Sequence, residues 1–247
     1  MNLTAQLKKY IKSLHHHKYR QKYNKFIVEG PKISEEFLLG KHYSVEYLIC
    51  EEEWMLNHLD LCSIYRDKLI RVDSKSLNSI SALQNPNKIL MVLESRDADE
   101  LKFKENEWTI YLDRIQDPGN LGTIMRIADW YGVNSCIAGP GTVSYYNPKV
   151  VQSAMGAHNR INLCQAKFED INCGSIPTLA MSLNGININT ISVNSGIIII
   201  GNESQGISSS ILDSVTHCIT IPKFGGAESL NASVACGIAC HVLIAKD

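Results

Sequence analysis

Gly196-Ile197-Ile198-Ile199-Ile200-Gly201-Asn202-Glu203-Ser204-Gln205-Gly206 is the stretch from which the fold reads outward. Four consecutive isoleucines between glycines describe a short strand buried on both faces, as strands inside a parallel sheet are. The strand runs straight into Gly-Asn-Glu, so a carboxamide and a carboxylate fall at its carboxyl end. That is where parallel α/β sheets bind ligands. A second stretch repeats the logic. Ile219-Thr220-Ile221 reads as a strand and Pro222 to Gly226 as a tight loop. Ser229 or Asn231 then caps a closing helix of small residues that runs to Ala245.

Upstream, Trp108 to Asp113 is a strand. Leu121, Ile124, Met125 and Ala128 follow with the i, i+3, i+4, i+7 spacing of a helix face, which places the helix start at Asn120. Further strands are expected at 135–138, 161–163 and 178–183, and a helix at 147–154. The first hundred residues alternate in the same way, with strands at 26–29, 45–50, 69–72 and 89–93 and helices between them. Leu3, Leu7, Ile11 and Leu14 predict one basic amphipathic helix over 3–23, and a short helix is expected at 74–83. The charged stretch 95–107 reads as a linker. The expected organisation is therefore α/β throughout, with a smaller N-terminal domain at 1–94 and a second domain at 108–247.

Composition narrows the classes. A chain of 247 residues with 45% hydrophobic content can bury a sizeable core. Its apolar runs are far too short to span a bilayer, and no signal peptide is read at its start. The eight cysteines, at 50, 62, 136, 164, 173, 218, 236 and 240, include no Cys-x-x-Cys pair. Reduced core thiols in a cytoplasmic protein are expected, and no metal site is, because Cys236 and Cys240 lack a matching pair of ligands nearby.

Net charge is −1, but the charge is unevenly spread. Residues 1–28 hold Lys8, Lys9, Lys12, Lys18, Arg20, Lys22 and Lys25 and no acid. The other 17 basic residues share the rest of the chain with all 25 acidic ones. Two readings stand for this basic arm: a solvated helix, or an RNA contact in which Lys18, Arg20 and Lys22 meet phosphates while Tyr10, Tyr19 and Tyr23 stack on bases.

No Gly-x-Gly-x-x-Gly follows a strand, no phosphate-binding Gly-x-x-x-x-Gly-Lys-Ser/Thr occurs, and no Gly-x-Ser-x-Gly elbow is present. Dinucleotide, nucleotide-triphosphate and serine-hydrolase chemistry lose their main support. What remains are three polar clusters at strand–helix junctions: Asn120 with Arg126, Asn202 with Glu203, and Ser229 with Asn231. Each also has a bland reading, since Asn120 and Ser229 can be helix caps, Arg126 an ion-pair partner and Glu203 a turn residue.

Taken together and in order, Asn120-x-Gly122-x-x-x-Arg126, Gly201-Asn202-Glu203-x-x-Gly206 and Ile221-Pro222 with Ser229-Leu230-Asn231-x-Ser233 resemble the three motifs of the SpoU/TrmH branch of the SPOUT RNA methyltransferases. Ser153-Ala154-Met155-Gly156-Ala157 resembles a segment between the first two motifs, and Phe26 to Gly30 resembles the entry to that family's N-terminal substrate-binding domain. The resemblance covers nearly the whole chain. It implies a trefoil knot in the parallel-sheet domain, which no sequence pattern would suggest, together with a homodimer and S-adenosylmethionine as cofactor. It also implies methyl transfer to a ribose 2′-hydroxyl of ribosomal or transfer RNA. By the same resemblance, Gly201, Ile221 and Leu230 hold the cofactor through their backbone. Asn120 and Arg126 face the ribose and its phosphate, and Glu203, Ser229 and Asn231 line the active site. Lys223 departs from the pattern, which has an apolar residue after Ile-Pro.

Chemistry refines one of these roles. A guanidinium keeps its proton, so Arg126 is a poor base and a good planar clamp for phosphate or a developing oxyanion. The base stays open at this point. A non-catalytic RNA-binding protein with the same fold is the rival reading. A nucleotide-dependent oxidoreductase is a third, without its glycine fingerprint.

Overall fold

The computed structural model describes residues 2–98 and 106–245. Most of the expected linker at 95–107 lies outside the described residues. In chain order the elements begin with α1 (Ala5–Ser13), α2 (His17–Tyr23), β1 (Lys25–Glu29), α3 (Pro31–Gly40) and β2 (Val45–Glu51). Next come α4 (Glu52–Asn57), α5 (Leu59–Ile64), β3 (Leu69–Val72), α6 (Ser74–Asn78) and β4 (Ile89–Glu94). The second half holds β5 (Trp108–Asp113), α7 (Pro118–Trp130), β6 (Ser135–Ala138), α8 (Pro148–Ala154) and β7 (Asn162–Gln165). It closes with β8 (Thr178–Asn187), β9 (Gly196–Gly201), α9 (Ser209–Leu212), β10 (His217–Thr220) and α10 (Ala232–Ile244). Two compact units result, one of residues 1–97 with 146–159, the other of 98–145 with 160–247.

The first unit has a sheet of order β1-β4-β2-β3. Only β2 and β3 run parallel; β4 is antiparallel to both of its neighbours. Alternation along the strands supplies two cores, as the two-residue period demands. Phe26, Val28, Leu48, Cys50 and Met91 pack with Phe37 and Trp54 on one face. Ile27, Ile49, Leu90 and Val92 pack with Ile11 and Leu14 on the other.

The expected helix over 3–23 is two helices. Leu14 ends α1 in right-handed conformation, and His16 is extended before α2. Leu14 shares the face of Ile11 and follows it into the core, while His15 Nε2 donates to the Ile80 carbonyl at 2.9 Å. Arg20 also departs from expectation. It is only 5% exposed, and its Nη1 donates to the Leu14 and His15 carbonyls at 3.0 and 2.9 Å. Burial lowers its pKa by disfavouring the charged form. Arg20 is therefore a brace at the helix break and not a phosphate ligand, whereas Lys18 and Lys22 are exposed.

The second unit is a six-stranded parallel sheet of order β10-β8-β9-β5-β6-β7. Ile197, Ile198 and Ile199 are fully buried, and Ile200 nearly so, as the unbroken isoleucine run requires. Ile197 and Ile199 meet Tyr111, Ile137 and Ala180 on one face, and α10 packs on both β9 and α7. Strand β8 runs past its expected end at Leu183. Ala180 pairs with Cys218 and Ile186 with the next residue, Ile219, so residues 181–185 swing out of the ladder. Gly185 closes this detour against the Ile219 backbone, where a Cβ would stand 2.5 Å from a carbonyl carbon.

Candidate active site

The sheet order places the site. From β5 the chain steps outward through β6 and β7, then returns on the opposite side, where β9 lies against β5. Asp113 and Gly201, the last residues of β5 and β9, pair in register. The loops after these two strands leave in opposite directions, which opens a crevice at a switch point of the kind that binds ligands in α/β sheets.

Asn120 enters this crevice from the first turn of α7. It does not start the helix: Asp117 is the cap, and its Oδ1 accepts from the Asn120 amide at 2.8 Å, with Pro118 in the first turn. That frees the Asn120 side chain, which is buried. Its Nδ2 donates to Glu203 Oε1 at 2.9 Å, and its Oδ1 accepts from Asn231 Nδ2 at 2.9 Å. Asn231 is the cap of α10. Its Oδ1 accepts from the amides of Ser233 and Val234 at 2.9 and 3.3 Å, and from Ser233 Oγ at 2.7 Å. A one-way relay thus runs from the amino end of α10 through two carboxamides to a carboxylate. Each carboxamide has donors on one side and an acceptor on the other, so its orientation is determined by its neighbours. Glu203 Oε2 has no partner among the described residues, and Glu203 is exposed.

The turn that carries Glu203 is rigidly tied. Asn202 and Gly206 exchange backbone bonds of 3.1 and 2.9 Å. Asn202 Oδ1 takes the amides of Ser204 and Gln205, and its Nδ2 donates to the Arg114 carbonyl at 2.8 Å. Two residues that the sequence reading missed complete the frame. Buried Asp113 accepts from the Ser208 amide at 2.7 Å and from the Arg114 guanidinium at 3.2 Å. Arg114 in turn donates to Gln205 Oε1 at 2.9 Å. Its backbone is left-handed, with φ 57°, which is uncommon outside glycine. The acid at a buried strand's carboxyl end was the available signal for this frame.

The structure separates the other expected residues from this relay. Arg126 lies six residues beyond Asn120, about 9 Å along α7 and roughly 120° around it. It is exposed, on the side of the helix that carries Thr123 and Trp130, with no partner among the described residues. Ser229 is exposed in the loop before α10, and Asn231, not Ser229, caps that helix. Lys223 is exposed in the same loop.

Gly201, Ile221 and Leu230 stand at three edges of the irregular run that follows the strand ends. Between 222 and 230 no backbone–backbone hydrogen bond is made among the described residues. Phe224 is 97% exposed and Leu230 48%. Free amides and carbonyls beside uncovered apolar side chains at strand ends fit a ligand that combines a heteroaromatic ring with polar edges. A nucleoside-bearing cofactor is such a ligand. Among the described residues no cluster of His, Cys, Asp or Glu is placed to hold a metal ion.

Comparison with known proteins gives a consistent result. The profile of the SpoU rRNA methylase family matches residues 107–241, and that of the MRM3-like substrate binding domain matches residues 6–91. The 23S rRNA (guanosine(2553)-2′-O)-methyltransferase RlmP of Bacillus subtilis is 28% identical over 238 residues, covering 94% of this chain and 93% of the relative. A TrmH-family protein from Porphyromonas gingivalis superposes with a TM-score of 0.84 at 29% identity, covering 98% of both chains. An rRNA methyltransferase from Sinorhizobium meliloti, solved with AdoMet bound, superposes with a TM-score of 0.89 at 25% identity, covering 98% of this chain and 97% of that one.

Proposed function

The chain belongs to the SpoU rRNA methylase family, and from that premise we propose that it transfers a methyl group from S-adenosylmethionine to a ribose 2′-hydroxyl of ribosomal or transfer RNA. The observation that carries this reading is the Asn231–Asn120–Glu203 relay at the β5/β9 switch point. When bound, S-adenosylmethionine supplies an electrophilic methyl on a sulfonium. The backbone at Gly201, Ile221 and Leu230 would hold it, and half-exposed Leu230 ends a run whose backbone groups are unpaired with other backbone among the described residues.

The chain's own residues have two tasks. They place the hydroxyl in line with the methyl, which removes much of the entropic barrier, and they take its proton as the new C–O bond forms and the methyl–sulfur bond breaks, leaving S-adenosylhomocysteine. Glu203 offers the acceptor: one oxygen is tied to Asn120 and the other is open. The tie fixes the carboxylate's direction, and the relay behind it keeps Asn120 from rotating. Arg126 clamps RNA phosphate from the outer side of α7 with its planar guanidinium. Ser229, exposed in the loop before α10, meets RNA in this reading. The basic arm adds attraction through Lys18 and Lys22.

A binding panel tests the cofactor. S-adenosylhomocysteine at about one hundred times its Kd stabilises the protein by about 2.7 kcal/mol and raises Tm accordingly, whereas NAD leaves it unchanged. A shift with NAD and none with S-adenosylhomocysteine overturns the reading. Methyl transfer to purified ribosomal and transfer RNA, mapped by mass spectrometry, identifies the substrate.

The reading includes a homodimer through the second unit and a cytoplasmic location. Of the small residues on α10, Ala232 and Ala239 are buried within the unit. Trp130 and Val234 are 84% and 51% exposed on the two packed helices α7 and α10, and are the apolar surface a second copy would cover. Sedimentation of the full chain should show a dimer at micromolar concentration. Trp130→Glu should shift it toward monomer, and a monomeric wild type refutes the arrangement. For location, Cys136 and Cys236 are fully buried free thiols whose pKa values are raised, by burial for Cys136 and first by the hydrogen bond with the Cys240 thiol for Cys236. They are inert core groups, as in a reducing compartment. No helix among the described residues is long and apolar enough to cross a membrane.

A further inference from the structure

The first unit carries an open cleft of about 990 Å³ lined by Tyr10, Tyr19, Tyr23, Tyr47, Lys9 and Lys25, among others. Four aromatic rings converge there from three elements, α1, α2 and β2. Tyr19 and Tyr23, four residues apart on α2, present one helix face, with rings 6.2 Å apart and 14° from parallel. Tyr10 meets Tyr23 edge-on at 5.2 Å and Tyr47 edge-on at 6.4 Å. Tyr10 and Tyr47 rest on the core formed by Ile11, Ile27 and Ile49, but Tyr19 and Tyr23 do not belong to it. Tyr23 is 37% exposed, so ring surface is left for a ligand.

The rim is cationic. Lys22 Nζ lies 5.3 Å from the Tyr23 ring centroid, and Lys9 is exposed. The one carboxylate lining the cleft, Glu46, already accepts from Tyr10 Oη at 2.9 Å and lies 3.9 Å from Lys25 Nζ. Flat π faces inside and positive charge outside fit a group that is planar and apolar at one end and anionic at the other. A nucleotide in a duplex shows only its edges; an unpaired one offers its face. We propose that this cleft holds an unpaired base of the RNA substrate, stacked on Tyr19 and Tyr23, with Lys9 and Lys22 on the flanking phosphates. The proposal rests on the reading above that the substrate is RNA, and adds that the RNA is engaged where a base is free of its helix.

Stacking and charge separate in one titration on the full-length protein. The probe is a short single-stranded oligoribonucleotide carrying 2-aminopurine, with its duplex as control. Tyr23→Ala should weaken single-strand binding by about ten-fold, the loss of one aromatic platform, and reduce 2-aminopurine quenching without changing the salt slope. Tyr19→Phe keeps the π face and should bind as wild type. Lys9→Ala with Lys22→Ala should instead flatten the salt slope by about 1.4. The proposal is overturned if the double variant Tyr19→Ala/Tyr23→Ala, with unchanged melting, binds single strands as wild type, or if duplex binds as tightly and with the same tyrosine dependence. Methyl transfer measured in parallel keeps the two readings apart. Turnover without tyrosine dependence sinks the cleft alone, and tyrosine-dependent binding without S-adenosylhomocysteine binding or turnover sinks the enzymatic reading alone.

Discussion

Arg126→Ala is expected to lower methyl transfer by about ten- to one-hundred-fold while leaving S-adenosylhomocysteine affinity within about two-fold, because the charged hydrogen bonds lost with a phosphate clamp are worth about 1.5–3 kcal/mol. Its exposure on α7 makes the test clean. A side chain with no partner among the described residues supports nothing in the fold, and substitution at such positions changes stability by about 0.5 kcal/mol or less. Lost activity therefore reports lost contact with RNA and not unfolding. Arg126→Lys should recover little, because an ammonium is a point charge without the two parallel donors of a guanidinium. Single-turnover kinetics with saturating cofactor measure both variants. Near-normal turnover in Arg126→Ala removes the residue from the mechanism and leaves the relay to act without a clamp.

Gly201→Ala should produce the largest structural effect. A Cβ there would overlap the Gly206 carbonyl carbon and stand 2.5 Å from the Ile207 amide nitrogen. These are backbone atoms of a turn that is closed by the Asn202–Gly206 bridge and tied to Asp113 and Arg114. No flexible side chain can yield, so the turn itself must move. Overpacking of this kind costs about 3 kcal/mol, which in a chain of this size lowers Tm by about 6–12 °C. The displaced turn carries Glu203 away from Asn120, so cofactor binding and turnover should fall with stability. Gly225→Ala, where a Cβ meets nothing within 4 Å, is the control. Wild-type melting and cofactor affinity in Gly201→Ala would show that the turn is looser than its bonds imply.

Much of the parallel-sheet unit was legible because its strands are buried on both faces and must be apolar without interruption. Ile197 to Ile200 is the plainest case. Helix α7 was legible from its apolar spacing, but it starts two residues before Asn120: Asp117-Pro118 is the cap and first-turn pair, and Asn120, whose side chain suits a cap equally well, lies inside the first turn. Strand β8 was cut short because Ser182, Asn184 and Gly185 read as a strand's end. They form the detour, and the ladder resumes beyond them at Ile186. The relay was not legible from spacing at all. Glu203 and Asn231 lie 83 and 111 residues from Asn120, and only the order of strands in the sheet brings the three together. Family resemblance had paired them without giving the geometry, and it had not indicated that Arg126 looks away from them. Arg20 was misread for a simpler reason: a cation among cations on an amphipathic helix reads as surface.

That same Arg20 changes how the amino-terminal arm should be understood. Its guanidinium takes the Leu14 and His15 carbonyls, which the break between α1 and α2 leaves without backbone donors. The brace holds α2 at one angle to α1 before any ligand arrives. Disordered basic tails lose conformational entropy at the moment they bind, and their affinity per contact is lower for it. Here the ordering of the arm belongs to folding, at about 1–2 kcal/mol per residue of backbone entropy. The arm is a preformed ledge, and the shape in which it presents its charges is set by folding and not by a ligand.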